Sequence, residues 1–325
     1  MASTSLLRTE DYVVGWVCTL EKEMAAAAAM LDERHHSVVM GGYDYALGSI
    51  LGHKVVIVRP HWGFANTDSG SGYGFAAIAA SSLLLSFKSI RFVLMVGIGS
   101  GVPGGNVDIR LGDVIVGRTV EYDFEETVRT NRFIQSDARS IPPTLLLSHI
   151  TRVRSGHKMG TSRLPQYLGE MLAKHPHMIP EFSYPGTEHD QLFKPGYDHQ
   201  GNGGTCENCD TSELVSRGDR WDTLPEIHPG VIATSNHAMR SGAIRERLKE
   251  ELGERFNTFC FDTEVYGLIP GLPCLVIRGV SDYADSHGND RWHGYAAATA
   301  AAFAKEFLGS LDTVRVADLQ SALTS

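Results

Sequence analysis

The chain has 325 residues, 42% of them hydrophobic and 21% charged, with a formal net charge of −9 at neutral pH. This is an ordinary globular composition, long enough for one large α/β domain or two small ones, each with a sizeable core. The acidic balance argues against nucleic acid as a partner, because neutralising phosphates takes clustered Lys and Arg.

In chain order, residues 12–18 read as an opening strand, and residues 21–31, rich in Ala, Met and Glu, as the helix after it. Residues 45–50 and 54–59 form an expected hairpin around Leu51-Gly-His53. A Gly/Ser-rich turn at 69–74 leads to a helix of small residues ending near Phe87, and then to a strand over 92–96. The glycine-rich segment 97–105 follows, and after it a strand over 111–116. From about 152 to 229 the pattern degrades, with only 164–173 helical, which suggests an insertion that covers a site or moves as a lid. Regular structure returns with a strand over 230–234, a helix over about 236–252, a buried strand over 272–277 and an Ala-rich helix over 294–308. The alternation of strand and helix favours an α/β sandwich with a central sheet, in a single domain over 1–325 that carries the insertion.

The five cysteines, Cys18, Cys206, Cys209, Cys260 and Cys274, are odd in number, and three fall in or beside apolar strands, a usage that suits a reducing compartment. The first residues lack the charged start and apolar core of a signal peptide, and no apolar run approaches the ~20 residues of a membrane span. The expectation is a cytoplasmic protein with no membrane partner. Cys206-Glu-Asn-Cys209 has zinc-like spacing, but the sequence shows no second pair, and His189 and His199 are not spaced like one, so no metal is expected.

The chemistry concentrates in Cys260-Phe-Asp-Thr-Glu-Val-Tyr-Gly267 and Arg278-Gly-Val-Ser-Asp-Tyr-Ala-Asp285. Glu264 and Asp282 each sit just past a short apolar run, where an α/β sheet delivers side chains to its ligand crevice. Two carboxylates at neighbouring strand ends suit cleavage of a glycosidic bond, one holding the sugar and the other protonating the leaving group.

Together with Val14-Gly-Trp-Val-Cys-Thr-Leu-Glu-Lys-Glu23, Leu94-Met-Val-Gly-Ile-Gly-Ser-Gly101 and Leu111-Gly-Asp-Val-Ile-Val116, these segments resemble the nucleoside phosphorylase/nucleosidase superfamily. The likeness is greatest to fungal nucleoside phosphorylase-like domains, some of which are N-ribohydrolases; methylthioadenosine/S-adenosylhomocysteine nucleosidase is a second relative. The resemblance implies a three-layer α/β/α sandwich with a mixed, partly barrel-like sheet, and a homodimer or higher homo-oligomer. It implies no cofactor and a purine nucleoside substrate. It also matches Asp282 to the acid that protonates N7 of a departing purine, Glu264 to the carboxylate on the ribose hydroxyls, and Glu23 to the residue that positions the attacking water.

Contacts to the nucleoside are then expected from Thr263, from Gly97, Ile98 and Gly99, from Tyr122 and Phe124, and from Asn236 and His237 at a helix start. Trp292 is expected to stack on the base, with a core anchor as the alternative; Asn236 also fits a helix N-cap. Phosphorolysis needs arginines around a phosphate, whereas Met95 and Ile98 stand where a phosphorylase has Arg and Ser or Thr. Water is therefore the expected nucleophile, with Arg59 and Arg118 able to reverse that reading. The expected function is purine nucleoside N-ribohydrolase. Purine nucleoside phosphorylase is the alternative, and a catalytically weak nucleoside-binding or signalling module remains open.

Overall fold

The computed structural model describes residues 7–58, 75–104, 107–130, 132–140, 142–201, 205–256, 258–268, 271–288 and 290–323. Among these residues eleven strands make one sheet: β1 (Val14–Val17), β2 (Glu33–Arg34), β3 (Val38–Met40), β4 (Tyr43–Ile50), β5 (His53–Val58), β6 (Phe92–Gly101), β7 (Val114–Tyr122), β8 (Gln135–Ser140), β9 (Ile227–Thr234), β10 (Thr258–Asp262) and β11 (Cys274–Asp282). The helices are α1 (Glu21–Ala29), α2 (Phe75–Ser86), α3 (Phe124–Thr130), α4 (Thr144–Lys158), α5 (Leu164–Lys174), α6 (Ile179–Phe182), α7 (Gly242–Phe256), α8 (His293–Ser310) and α9 (Thr313–Ala317). The expected Gly/Ser-rich turn and Arg59 lie outside the described residues.

The main strand order is β10-β9-β7-β11-β6-β1-β5-β4-β2, with β3 on β4 and β8 on β7. β6 pairs in parallel with β1 and β11, and its far end also pairs antiparallel with β10, Cys260 facing Gly101 and Phe261 facing Ser100. That pairing closes β10, β9, β7, β11 and β6 into a ring, the partly barrel-like sheet expected. Helices α1, α4, α5 and α6 gather around α8 on one face of the sheet, and α2 packs on the other, giving the three layers. Alanines fill the α8 face because its backbone runs so close to β11 that a Cβ at Gly279 would collide with the carbonyl of Ala296.

Three elements depart from the sequence reading. The strand expected over 92–96 continues as β6 through Gly101, so the glycines at 97, 99 and 101 belong to it. Asn236 and His237 do not open a helix: α7 starts at Gly242, where the Ser241 hydroxyl accepts from the N–H of Ile244 at 3.4 Å. Within 152–229, α4 runs on to Lys158 and buries Leu146, Ile150 and Val153, a stripe at helical spacing. The segment is anchored to the sheet by Arg220, whose guanidinium grips both oxygens of buried Asp113, and by Arg217, which donates to the hydroxyl of Tyr283, just past β11, at 2.9 Å. No helix among the described residues is long and apolar enough to cross a membrane.

Candidate functional site

The ends of β6, β10 and β11 converge on a cleft of about 470 Å³ whose lining includes Ile98, Gly99, Thr263, Glu264 and Asp282. β6 and β11 are in parallel register, with Gly97 beside Arg278 and Gly99 beside Val280. Beneath the cleft, glycines at 97 and 99 leave room that side chains from three other elements fill. A Cβ at Gly97 would meet the Glu23 carboxylate and the Arg278 guanidinium, and one at Gly99 would meet Cys260 Sγ.

Arg278 is the hub of this layer. It is 2% exposed, and its Nη2 donates to Asp262 Oδ2 at 3.1 Å and lies 3.5 Å from Glu264 Oε2. Asp262 in turn fixes the turn after β10, accepting from the N–H groups of Glu264 and Val265 at 3.1 and 3.3 Å. Glu23, 3% exposed, accepts three backbone N–H bonds: from Thr19 at 2.8 Å, Leu20 at 3.0 Å and Ile98 at 2.8 Å. The Thr19 hydroxyl also donates to Glu23 at 3.3 Å.

Burial pushes both Glu23 and Glu264 above the ordinary carboxylate range; the charge of Glu23 pushes Glu264 further, and Arg278 opposes both shifts. The two carboxyls therefore compete for one cation. Glu23 has three backbone donors for its charge, whereas Glu264 Oε2 is buried with no hydrogen-bond partner. The shared proton belongs on Glu264, with Glu23 ionised. Desolvation, and next the negative charge of Glu23, disfavour the ionised form of Glu264.

Asp282 closes β11 and is half-buried at the cleft. Its oxygens are fixed by Ser281 Oγ at 3.0 Å and by the N–H of Ala284 at 2.9 Å. His293, the first residue of α8, lines the same cleft with Nδ1 3.4 Å from Asp290, and it feels the charge of Asp282. Burial holds the His293 pKa below its ordinary value, against the pull of Asp290 and Asp282.

No family model matches the chain. A 5′-methylthioadenosine/S-adenosylhomocysteine nucleosidase from Neisseria meningitidis, solved with methylthio-immucillin-A, superposes with a TM-score of 0.55 at 15% identity, over 92% of this chain and 99% of that one. Futalosine hydrolase of Helicobacter pylori superposes with a TM-score of 0.53 at 15% identity, over 92% and 98%. The chain has the nucleosidase fold. In sequence it is 36% identical over 314 residues to a nucleotide-binding leucine-rich repeat (NLR)-like protein of Hyaloscypha variabilis, covering 93% of this chain. It spans 30% of that relative's own length.

On this nucleosidase fold, Thr263, Glu264, Asp282, Ile98 and Gly99 share the cleft, with Glu23 and Gly97 packed beneath it. Other expected contact residues do not line it. Trp292 is fully buried, its indole N–H donating to the carbonyl of His189 at 2.9 Å and its ring set edge-on to Tyr184, so it is a core anchor and not a stacking platform. Tyr122 is buried behind Phe261, edge-on to its ring, and burial pushes its hydroxyl up to about 12. Phe124 stacks on His237 at 5.2 Å, and Asn236 Oδ1 contacts His237 Nδ1 at 3.0 Å, so the three satisfy one another. The same turn sends Ala238, Met239 and Arg240 to the cleft instead. Met95 is buried in the core and Arg118 is exposed on β7, away from the cleft.

Arg278 and His293 are among the site members that sequence reading missed, with Met239 and Arg240. Arg278 stands four residues before Asp282 on the same strand, which was a usable signal, although the register shift between Val280 and Asp282 interrupts regular alternation. His293 had none, because its neighbour Trp292 carries the obvious aromatic signature.

Proposed function

We propose that the chain is a purine nucleoside N-ribohydrolase. The observation that carries the reading is the joint placement of Asp282 and Glu264 on one cleft, with Glu23 packed beneath it. In this reaction water oxygen bonds to C1′ of the ribose as the bond from C1′ to the purine nitrogen breaks, and the purine keeps that electron pair. Asp282 delivers a proton to the purine, Glu264 engages the ribose hydroxyls, and Glu23 accepts a proton from the water. The ionised Glu23 also stabilises the oxocarbenium-like sugar.

Water is favoured over phosphate by the charge of the cleft. Among the described residues, Asp262, Asp282, Asp285 and Asp290 line it, Arg240 is the arginine in that lining, and the buried guanidinium of Arg278 is already engaged by Asp262. A phosphate dianion there would meet like charges with little cationic compensation.

The test is release of free base from adenosine, inosine, guanosine and uridine, with and without phosphate. Phosphate-independent release of a purine, reduced about 10²–10⁴-fold in Asp282→Asn, is the expected result. Strict phosphate dependence would assign a phosphorylase.

A second reading rests on the NLR-like relative, of which this chain matches a part. There the domain senses a nucleoside for a larger protein. Tight purine binding without base release from any of the four nucleosides would select it.

A further inference from the structure

Outside the cleft, one cluster combines ligands that a metal needs with an adjoining buried ring nitrogen that lacks a hydrogen-bond partner. His199, Cys206 and Cys209, all in the 152–229 segment, bring one potential ligand atom each to within 4.8 Å of one another. His199 Nδ1 is 3.5 Å from Cys209 Sγ and 3.9 Å from Cys206 Sγ. Ligands on a tetrahedral zinc, with Zn–S and Zn–N bonds of ordinary length, stand about 3.6 Å apart for an S···N edge. The N–H of Cys209 donates to the carbonyl of Cys206 at 3.1 Å, so the Cys-x-x-Cys run folds as a tight turn that presents both sulfurs on one side. Both thiols are free.

We propose that His199, Cys206 and Cys209 bind one Zn²⁺, and that this ion pins the 152–229 segment to the turn after β11. His287 supplies the independent observation. It is 7% exposed, its Nδ1 lies 3.5 Å from Asp285 Oδ1, its Nε2 has no hydrogen-bond partner, and its ring stacks on Phe193 at 4.1 Å. The His287 and His199 ring centres are 5.6 Å apart, close to the about 5 Å separation of two imidazoles on one tetrahedral ion. The proposal takes His287 as the fourth ligand, which requires its side chain to turn toward the three.

Two sulfurs and imidazole select zinc over harder cations, and a closed set of protein ligands makes the site structural. Metal-free, burial keeps the Cys206 thiol protonated; Zn²⁺ displaces the thiol protons to solvent on binding and supplies the positive charge that stabilises the thiolates.

The location gives the ion a task. The N–H of His199 donates to Ser286 Oγ at 2.9 Å, and Cys206 Sγ lies 3.9 Å from the carbonyl of His287. Asp285, Ser286 and Gly288 of that same turn line the cleft. An ion held by the inserted segment would thus fix one wall of the candidate active site from outside. The proposal stands on the ligand geometry and is independent of the nucleosidase reading.

The full chain, purified without chelator, should contain about one zinc per chain by elemental analysis and native mass spectrometry. Exchange into Co²⁺ should give thiolate charge-transfer and tetrahedral d–d absorption. Cys206→Ser combined with Cys209→Ser should lose the ion. Cys209→His, which keeps a ligand, should retain Co²⁺ with a weaker charge-transfer band, a result that misfolding would not produce. Chelation should raise amide exchange across residues 196–201, 205–210 and 284–288 while the sheet stays protected. Zinc-free protein that takes up no Co²⁺, a Cys206–Cys209 disulfide in its place, or zinc retained by the double serine variant would overturn the proposal.

Discussion

The Glu23 carboxylate and the Arg278 guanidinium converge on the one spot that a side chain at Gly97 would occupy. Neither group can yield cheaply, since Glu23 is held by three backbone donors and Arg278 by Asp262. Gly97→Ala should therefore cost about 1–3 kcal/mol, the usual range for overpacking a filled core. Chemical denaturation of the variant checks it, and a loss below 0.5 kcal/mol by the same measure, about the effect of an ordinary surface substitution, would show that the layer is softer than drawn.

Arg278 is buried with Asp262 as its partner, and breaking such a pair leaves an uncompensated charge. Arg278→Met should destabilise by about 3–5 kcal/mol. Adding Asp262→Asn removes the orphaned charge, so the double variant should recover part of that loss. A double-mutant cycle gives the coupling directly; strictly additive losses would mean that the two groups act through separate contacts.

The fold was legible in the sequence because its signals are local. β1, β5 and β11 are apolar runs whose two faces are both covered, and α8 is a stripe of alanines that only close packing explains. The carboxylates were legible because strand ends deliver side chains to a crevice. What stayed hidden depends on contacts distant in the chain. Trp292 looked like a base platform until the carbonyl of His189, 103 positions earlier, claimed its indole N–H. The glycines of β6 did not read as strand because the side chains that fill their space come from α1, β10 and β11. His199 looked unlike a partner for Cys206 and Cys209 because its spacing matches no common pattern, although the fold brings it to 3.5 Å.

The pH dependence of stability should expose the shared proton. Burial and Glu23 raise the folded-state pKa of Glu264 above its ordinary 4.5, so between 4.5 and the raised value the folded chain binds more protons than the unfolded one. Stability must then fall as pH rises through that window. Glu264→Gln keeps the shape and removes the titration, so its stability should decline less across the same range. Denaturation midpoints measured for both proteins from about pH 5 to 8 decide it; parallel curves would place the proton elsewhere.

Asp113 tests whether the 152–229 segment is anchored or swings as a lid. Its oxygens accept from both Arg220 Nη atoms at 2.6 Å, from His228 Nε2 at 2.9 Å and from the N–H of Glu226 at 2.9 Å, so one carboxylate ties the end of the segment to the start of β7. Burial alone would raise its pKa, but the hydrogen bonds from Arg220 and His228 outweigh burial and hold it below the ordinary 3.8. The stability it contributes is present above 3.8 and disappears as pH falls through the lowered value. Asp113→Ala should cost about 3–5 kcal/mol at neutral pH, because Arg220 and His228 are left in a buried site without their anion. Its acid limb should be correspondingly flatter. The loss should be accompanied by faster proteolysis after Arg217 and Arg220, where an anchored segment is protected. Were the segment a free lid, those arginines would be cut as readily in the parent chain, and the substitution would leave cleavage unchanged.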